Sequence, residues 1–366
     1  MTRLSSQVSF VVPCYRLAHY LAECVSSILS QTYPHVEIIV LDDRSPDDAE
    51  AVARGIMAAH PDRRISYVRN AKNLGNIRNY NKGIGLASGK YVWILSPDDR
   101  LRNPRIVERY VAVLESRADV GFVFCPAHVI RGAEDTGPHV PSLYRLDDAI
   151  LEGPQLVKDI VDNNFELIAA SVMVRKECYE RVTLFPTGMP HRGDSYVWAL
   201  IAMRYATAYF CEPMVDYRVH DLSMMSTLAR ENMARAVKDD IAVPWRVKAG
   251  AEALGQDDVI AHCWDSIVLG YRNALVGVVC RGNAFALTVP EVEASLERWE
   301  PDLDRRARVR NRLARRMYLS SLGELRRGRL GGARKALANS FSLDPALRFR
   351  PPIREILGRI ARLDQR

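Results

Sequence analysis

Long apolar runs are missing from this sequence. The longest, Ile267 to Cys280, is interrupted by Arg272 and Asn273, so no stretch is expected to span a bilayer as a helix. The beginning, MTRLSSQVSFVVP, lacks the extended apolar core of a secretory signal. Cysteine is sparse: 7 in 366 residues, at positions 14, 24, 125, 178, 211, 263 and 280, with no Cys-x-x-Cys pair and no zinc-ligand spacing. Most stand beside apolar residues, which predicts buried thiols in a reducing compartment. His-Glu-x-x-His, Gly-x-Ser-x-Gly and the Walker-type phosphate loop are absent as well. Those absences argue against zinc proteases, α/β-hydrolases and P-loop nucleotide hydrolases. The expected location is the cytoplasm.

What is present is an ordinary globular composition, 48% hydrophobic and 26% charged, which excludes disorder as the main state. Such a length predicts two domains, drawn here as 1–225 and 226–366. The net charge of +7 is an average over unlike parts. Residues 301–366 carry 18 basic and 6 acidic side chains, whereas the preceding 300 carry 33 basic and 38 acidic. A slightly acidic body therefore ends in an Arg-rich tail.

Within the body, apolar patterning alternates. Val8–Val12, Val36–Leu41, Ile65–Val68 and Tyr91–Leu95 read as short buried strands. Between them, 18–29, a segment from Pro46 to about Ala59, and Ile77–Ala87 read as helices. Alternation of this kind predicts an α/β fold with a mostly parallel sheet. Helix 103–117, strand Val120–Cys125, a loop over 126–150, strand Ile168–Val174, and a helix from Asp194 to Tyr205 with one apolar face follow. Strand Ala206–Cys211 and the extended Val215–His220 complete this part. Beyond residue 226 helices dominate, with breaks at Gly255, Gly282, Pro301 and Pro345 and a helical hairpin over Leu313–Pro345. Polar groups follow three of the strands: Pro13-Cys14-Tyr15, Asp42-Asp43 and Asp98-Asp99. Open α/β sheets bind ligands beyond the carboxyl ends of their strands, so these residues mark a site.

The segments VSFVVPCYRLAHYLAECVSSILSQTYPHVEIIVLDDRSPDD and NLGNIRNYNKGIGLASGKYVWILSPDD, joined by Asp194 and Tyr217-Arg218-Val219-His220, resemble the family-2 glycosyltransferases. These are inverting enzymes of the GT-A fold, a Rossmann-like, mostly parallel sheet flanked by helices; here a helical C-terminal region would follow. The resemblance covers residues 7–125 and, less closely, 165–226. It implies a nucleoside-diphosphate sugar, with UDP favoured, a divalent cation (Mn2+ or Mg2+) and a carboxylate base. Asp98 and Asp99 would stand at the metal, with His220 as a further ligand and Arg218 near the phosphates. Oxygen ligands at a strand end suit a hard cation facing a leaving diphosphate. Pro13, Tyr15, Asp42 and Asp43 fall at the nucleotide, and Asn73, Gly75, Arg78 and Asn79 on the loop and helix that flank it. Asp194 aligns with the base. Two positions depart from the family pattern: Ser96 replaces its first metal-side acid, and Gly193 replaces a Glu before the base.

Each residue also has a plainer reading. Asp98-Asp99 make a turn, Asp42-Asp43 cap a helix, and an Asp at a helix start complements its dipole. The departures admit an inactive nucleotide- or glycan-binding scaffold. A nucleotidyltransferase would need a Gly-rich loop after the first strand, which Pro13-Cys14-Tyr15-Arg16 does not supply. The acceptor is expected to be a glycan, a lipid-linked sugar or a small molecule, in cell-surface polysaccharide or other glycoconjugate synthesis. For the tail 301–366 the readings are a solvated helix face or peripheral contact with an anionic membrane at the cell's inner face. No nucleic-acid module is recognisable, and nucleic acid is not an expected partner.

Overall fold

The computed structural model describes residues 6–349, apart from Ala133, Leu222, Met224, Met225, 228–231, Arg281 and Gly282. The break expected at Gly282 and the tail beyond Phe349 lie outside the described residues. The chain divides into two compact units, Met1–Ser223 and Met224–Arg366.

The first unit begins β1 (Val8–Cys14), α1 (Ala18–Leu29), β2 (Val36–Asp42), α2 (Ala49–Ala59), β3 (Arg64–Arg69), α3 (Asn76–Leu86) and β4 (Tyr91–Ile94). It continues β5 (Arg100–Leu101), α4 (Ile106–Ser116), β6 (Val120–Phe124), β7 (Ala127–Arg131), β8 (Glu134–Pro138) and β9 (Ala149–Leu151). Then come α5 (Gly153–Asp162), β10 (Met173–Arg175), α6 (Lys176–Arg181), α7 (Gly193–Ala202), β11 (Ala206–Tyr209) and β12 (Val215–Arg218). The main sheet has the order β3-β2-β1-β4-β10-β6-β11-β9. Strands β3, β2, β1 and β4 are parallel, while β10 runs against both its neighbours and β9 against β11. Strand order reverses between β1 and β4, the position where such sheets open a ligand crevice. A smaller sheet, β5-β12-β7-β8, carries the chain back to that edge.

The β-branched runs of β1 and β2 are buried almost throughout, as expected of parallel strands covered on both faces. From β1 runs a column of aromatic rings, Phe10, Trp93, Tyr110 and Phe210, at successive centroid distances of 5.2, 5.1 and 5.4 Å. The Trp93 indole N–H donates to Ala170 O at 2.7 Å, so its polar edge is satisfied inside the core. On the α3 side, Gly83 lies so close to β1 that a Cβ there would meet Val11 Cγ1 at 2.3 Å.

Several expectations are corrected. Helix α2 starts at Ala49 and not at Pro46, because Arg44 takes a left-handed φ of 61° and the following residues bend around Asp42. The region 126–150, expected as a loop, holds the β7–β8 hairpin and edge strand β9. Their short, half-exposed segments carry little apolar pattern. The strand read over 168–174 begins as a 3-10 turn, Ala169–Ser171, and only Met173–Arg175 pairs in the sheet. Helix α7 is buried all round from Val197 to Ala202, not on one face.

The second unit comprises α8 (Met233–Glu252), α9 (Asp257–Val276), a hairpin of β13 (Val278–Cys280) and β14 (Asn283–Phe285), α10 (Val289–Trp299), α11 (Leu303–Arg326) and α12 (Leu330–Leu343). The hairpin was not legible in the pattern. The unit has its own core around Trp245, Tyr271, Leu275, Leu313 and Met317. A capping box of Thr288 and Glu291 starts α10. Gly328, at φ 72°, turns α11 into α12. Among the described residues no helix is long and apolar enough to cross a membrane.

Candidate active site

The crevice is built where β1 and β2 end. Pro13 is buried in β1 opposite Leu41, and the chain then turns sharply, with Arg16 at φ 60° donating its N–H to Ser45 Oγ at 2.8 Å. Asp47 reaches across to accept the Ala18 N–H at 3.0 Å, capping α1 from another loop. Asp42 accepts the Ser45 N–H at 2.7 Å and the Tyr67 hydroxyl at 2.6 Å, and pairs with Arg69 at 3.2 Å. Asp43 accepts from Asn70 Nδ2 (2.7 Å), Leu74 N (2.8 Å) and Gly75 N (2.8 Å). That grip pulls the 73–75 loop onto the end of β2, and Asn73 Oδ1 adds a bond from Gly75 N at 3.0 Å. Gly75 sits at φ 78° as the cap of α3, a conformation glycine adopts without strain. Asn79 donates to Leu41 O at 3.2 Å and accepts from Asn70 at 2.8 Å, inside the protein.

Asp42, Asp43 and Asn79, expected at the nucleotide, are buried and hydrogen-bonded to protein groups at the crevice wall. Tyr15, in contrast, is 36% exposed with the Arg16 guanidinium 5.3 Å from its ring centre. Arg78 is exposed on α3 and makes no ion pair among the described residues.

The second part lies beyond β4. Asp99 N–H closes a turn onto Ser96 O at 3.0 Å, and the chain enters β5, which pairs antiparallel with β12. Asp216, buried on β12, clamps this pairing by accepting Arg100 Nε at 2.6 Å and Arg102 Nε at 2.7 Å. The clamp brings His220 to Asp98: His220 Nε2 lies 3.0 Å from Asp98 Oδ2, and Asp98 Oδ1 is buried with no hydrogen-bond partner. An orphaned carboxylate oxygen beside an imidazole suits a divalent cation. Among the described residues, no group of three or more His, Cys, Asp or Glu is assembled around one point.

Asp99 and Arg218, expected at the metal and near the phosphates, meet each other in the structure. Asp99 Oδ1 accepts the Arg218 N–H at 2.9 Å in a buried position, and burial, with Asp98 adding, pushes its carboxyl well above the usual range. Arg218 donates from Nε to Asp98 O (2.8 Å), from Nη1 to Gly132 O (2.5 Å) and from Nη2 to Glu23 (2.7 Å), with its guanidinium 4.6 Å from the Tyr20 ring centre. Both residues anchor the Asp98 turn.

Asp194 occupies the first turn of α7. Arg192, buried, ties that start to α5 by donating to Ile160 O at 2.6 Å. Burial raises the Asp194 carboxyl above its ordinary value, against a Ser195 N–H bond at 2.6 Å and the nearby charges of Arg192 and His191. Tyr80, on α3, has its hydroxyl pushed up chiefly by burial and then by the fields of Asp98, Asp194 and Asp99. The proposed base and the Asp98–His220 pair thus share a neighbour. Sequence reasoning missed Tyr80, Glu23, Asn70, Asp47 and Asp216. Asn70, directly after β3, was the one with a positional signal.

Residues 9–181 match the model of the family Glycosyl transferase family 2. An uncharacterized glycosyltransferase of Haemophilus influenzae is 30% identical over 240 residues, covering 63% of this chain and 71% of that one. The putative teichuronic acid biosynthesis glycosyltransferase TuaG of Bacillus subtilis is 25% identical over 228 residues, 62% of this chain and 84% of its own. Among solved structures, Staphylococcus aureus TarS 1–349 in complex with UDP-GlcNAc aligns over 94% of this chain and 93% of its own, with a TM-score of 0.58 and 14% identity, a likeness of fold. With its parallel sheet, its strand-end crevice and these matches, the chain belongs to glycosyl transferase family 2 and has the GT-A-like architecture.

Proposed function

We propose that the chain transfers a sugar from a nucleoside-diphosphate sugar, UDP-linked by preference, to an acceptor hydroxyl with inversion at the anomeric carbon. The observation that carries this reading is the unpartnered Asp98 Oδ1 beside His220 at the switch-point crevice, with Tyr80 near both it and Asp194. TarS, which shares the fold, is complexed with UDP-GlcNAc, and that supports a UDP-sugar. The name of TuaG supports a role in cell-surface polysaccharide or a related glycoconjugate.

Exposed Tyr15 offers a ring to the nucleobase, and Arg78 a free cation to the phosphates. Asp98 and His220 would hold Mn2+ or Mg2+, which supplies charge neutralisation to the leaving diphosphate when bound. Asp194 takes the acceptor's hydroxyl proton. As that O–H bond breaks, the acceptor oxygen forms a bond to the anomeric carbon from the face opposite the diphosphate. The old carbon–oxygen bond breaks, and its electron pair leaves with the diphosphate. A carboxyl raised toward neutrality holds a proton better than an ordinary Asp, which suits general-base work near neutral pH.

The test combines thermal shift over a panel of nucleoside diphosphates, with and without manganese, and nucleotide release from UDP-sugars. UDP is expected to raise the melting temperature more with manganese than alone, and Asp98→Asn to remove the difference. Asp194→Asn should keep the UDP shift and lose at least about a hundredfold in turnover, the lower end of what a positioned base contributes. Wild-type turnover in that variant would remove Asp194 from the chemistry. UDP binding with no turnover of any sugar nucleotide would favour the inactive scaffold.

A further inference from the structure

A groove of about 440 Å³ opens in the second unit between α9, α11 and α12. Four cations line it, Arg272, Arg316, Arg327 and Lys335, against the single carboxylate Glu324. Glu324 is taken by Arg327 at 2.9 Å. Arg272 is held by neutral groups, Ser320 Oγ at 3.1 Å and Asn273 Oδ1 at 2.8 Å. Arg316 and Lys335 are exposed and make no ion pair among the described residues. The same groove has an apolar wall: Leu269, Val276 and Leu319 leave 39%, 47% and 60% of their surface in water.

Unmatched cations beside exposed aliphatic side chains ask for a ligand that is anionic at one end and apolar at the other. Free phosphate would leave the leucines wet, and a neutral lipid would leave the cations unanswered. We propose that this groove is a binding site for a phosphate-bearing lipid, presented at an anionic membrane surface. The headgroup phosphate lies among Arg316, Lys335 and Arg272, and the first methylenes of the chain lie along Leu319 and Val276. This groove is built of second-unit residues alone, and the proposal does not depend on how the sugar-transfer chemistry is read.

The experiment is flotation of the full-length chain with phosphatidylcholine vesicles, with or without phosphatidylglycerol. Recovery with the anionic vesicles alone is expected. Each Lys or Arg near an anionic surface strengthens attachment about fivefold, so Arg316→Glu with Lys335→Glu should weaken partitioning by about thirtyfold or more. The milder Arg316→Gln with Lys335→Gln reads the same loss should the reversal disturb folding. Leu319→Ser should weaken partitioning a few-fold at unchanged charge. Arg308→Glu with Arg315→Glu makes the same charge change on α11 outside the groove and should retain most of the binding. Equal recovery on neutral vesicles would overturn the proposal. So would an equal loss in the Arg308/Arg315 pair, which would mean diffuse attraction, or displacement by millimolar inorganic phosphate, which would mean a free anion is the ligand.

Discussion

Asp194 is the residue whose environment says most about its use. Its carboxyl is raised by burial, so the folded state holds the proton more tightly than the unfolded chain does. The sign follows: the ionised side chain costs stability above its folded pKa, and the cost vanishes below the ordinary carboxylate range. Asp194→Asn should therefore raise the melting temperature at pH 7 to 8, with the gain shrinking as pH falls. A residue serving only to complement the helix N-terminus would give the opposite result, a loss of about 0.3–1 kcal/mol. Differential scanning fluorimetry of both proteins from pH 4 to 8 decides between them. Elsewhere in the first unit stand side chains whose identity was legible and whose direction was not. Arg218 and Asn79 had the right types in the right order, yet their donors end on Glu23, Gly132, Asp98 and Leu41. Which of two available partners a polar group takes is set by tertiary distance, and one chain's spacing does not encode it.

At the scale of elements, β1 and β2 announced themselves because buried parallel strands are continuous β-branched runs. The two-residue β5, the β7–β8 hairpin and β9 did not, since short edge segments with few buried residues carry no period to read. Packing between elements was equally hidden, and the contact of α3 with β1 shows how tight it is. A Cβ on Gly83 would lie 2.3 Å from Val11 Cγ1 and 3.3 Å from Val11 Cβ, with Val11 fully buried in the middle of β1. The valine has no free rotamer space to retreat into. Gly83→Ala should then destabilise by about 1–3 kcal/mol despite alanine's better helix propensity. Adding Val11→Ala should restore part of the loss, a coupling that chemical denaturation of the two single variants and the double variant would expose. Simple additivity of the two losses would show that α3 and β1 are not in the contact described.

Across the first unit, carboxylates move in two directions. Those that tie the scaffold are held down: Glu37 by Ser9 and Ser88, Asp47 by Ser45 and the α1 and α2 backbone, and Glu115 to about 2 by Lys90, Ser6 and Tyr91, in each case against a desolvation that alone would raise them. Those at the crevice are pushed up, Asp194 and Asp99 chiefly by burial. A depressed carboxylate contributes stability above its unfolded pKa and loses it as pH falls toward the folded value. For Glu115 that window runs from the ordinary value of 4.5 down to about 2, and because the carboxylate is exposed, solvent screening leaves a contribution of about 1 kcal/mol or less. The proposed base, in contrast, must be ionised to accept a proton, so activity should fall as pH drops through a pKa above the ordinary Asp value of 3.8. The two acid limbs should separate, with turnover disappearing at a pH where the protein is still folded. Parallel measurement of kcat/KM and circular dichroism between pH 3 and 8 reads both limbs on one axis. Coincident loss of activity and structure would mean that acid acts through Glu115, Glu37 and Asp47 before it reaches Asp194, and that the crevice does not hold its base at a raised pKa.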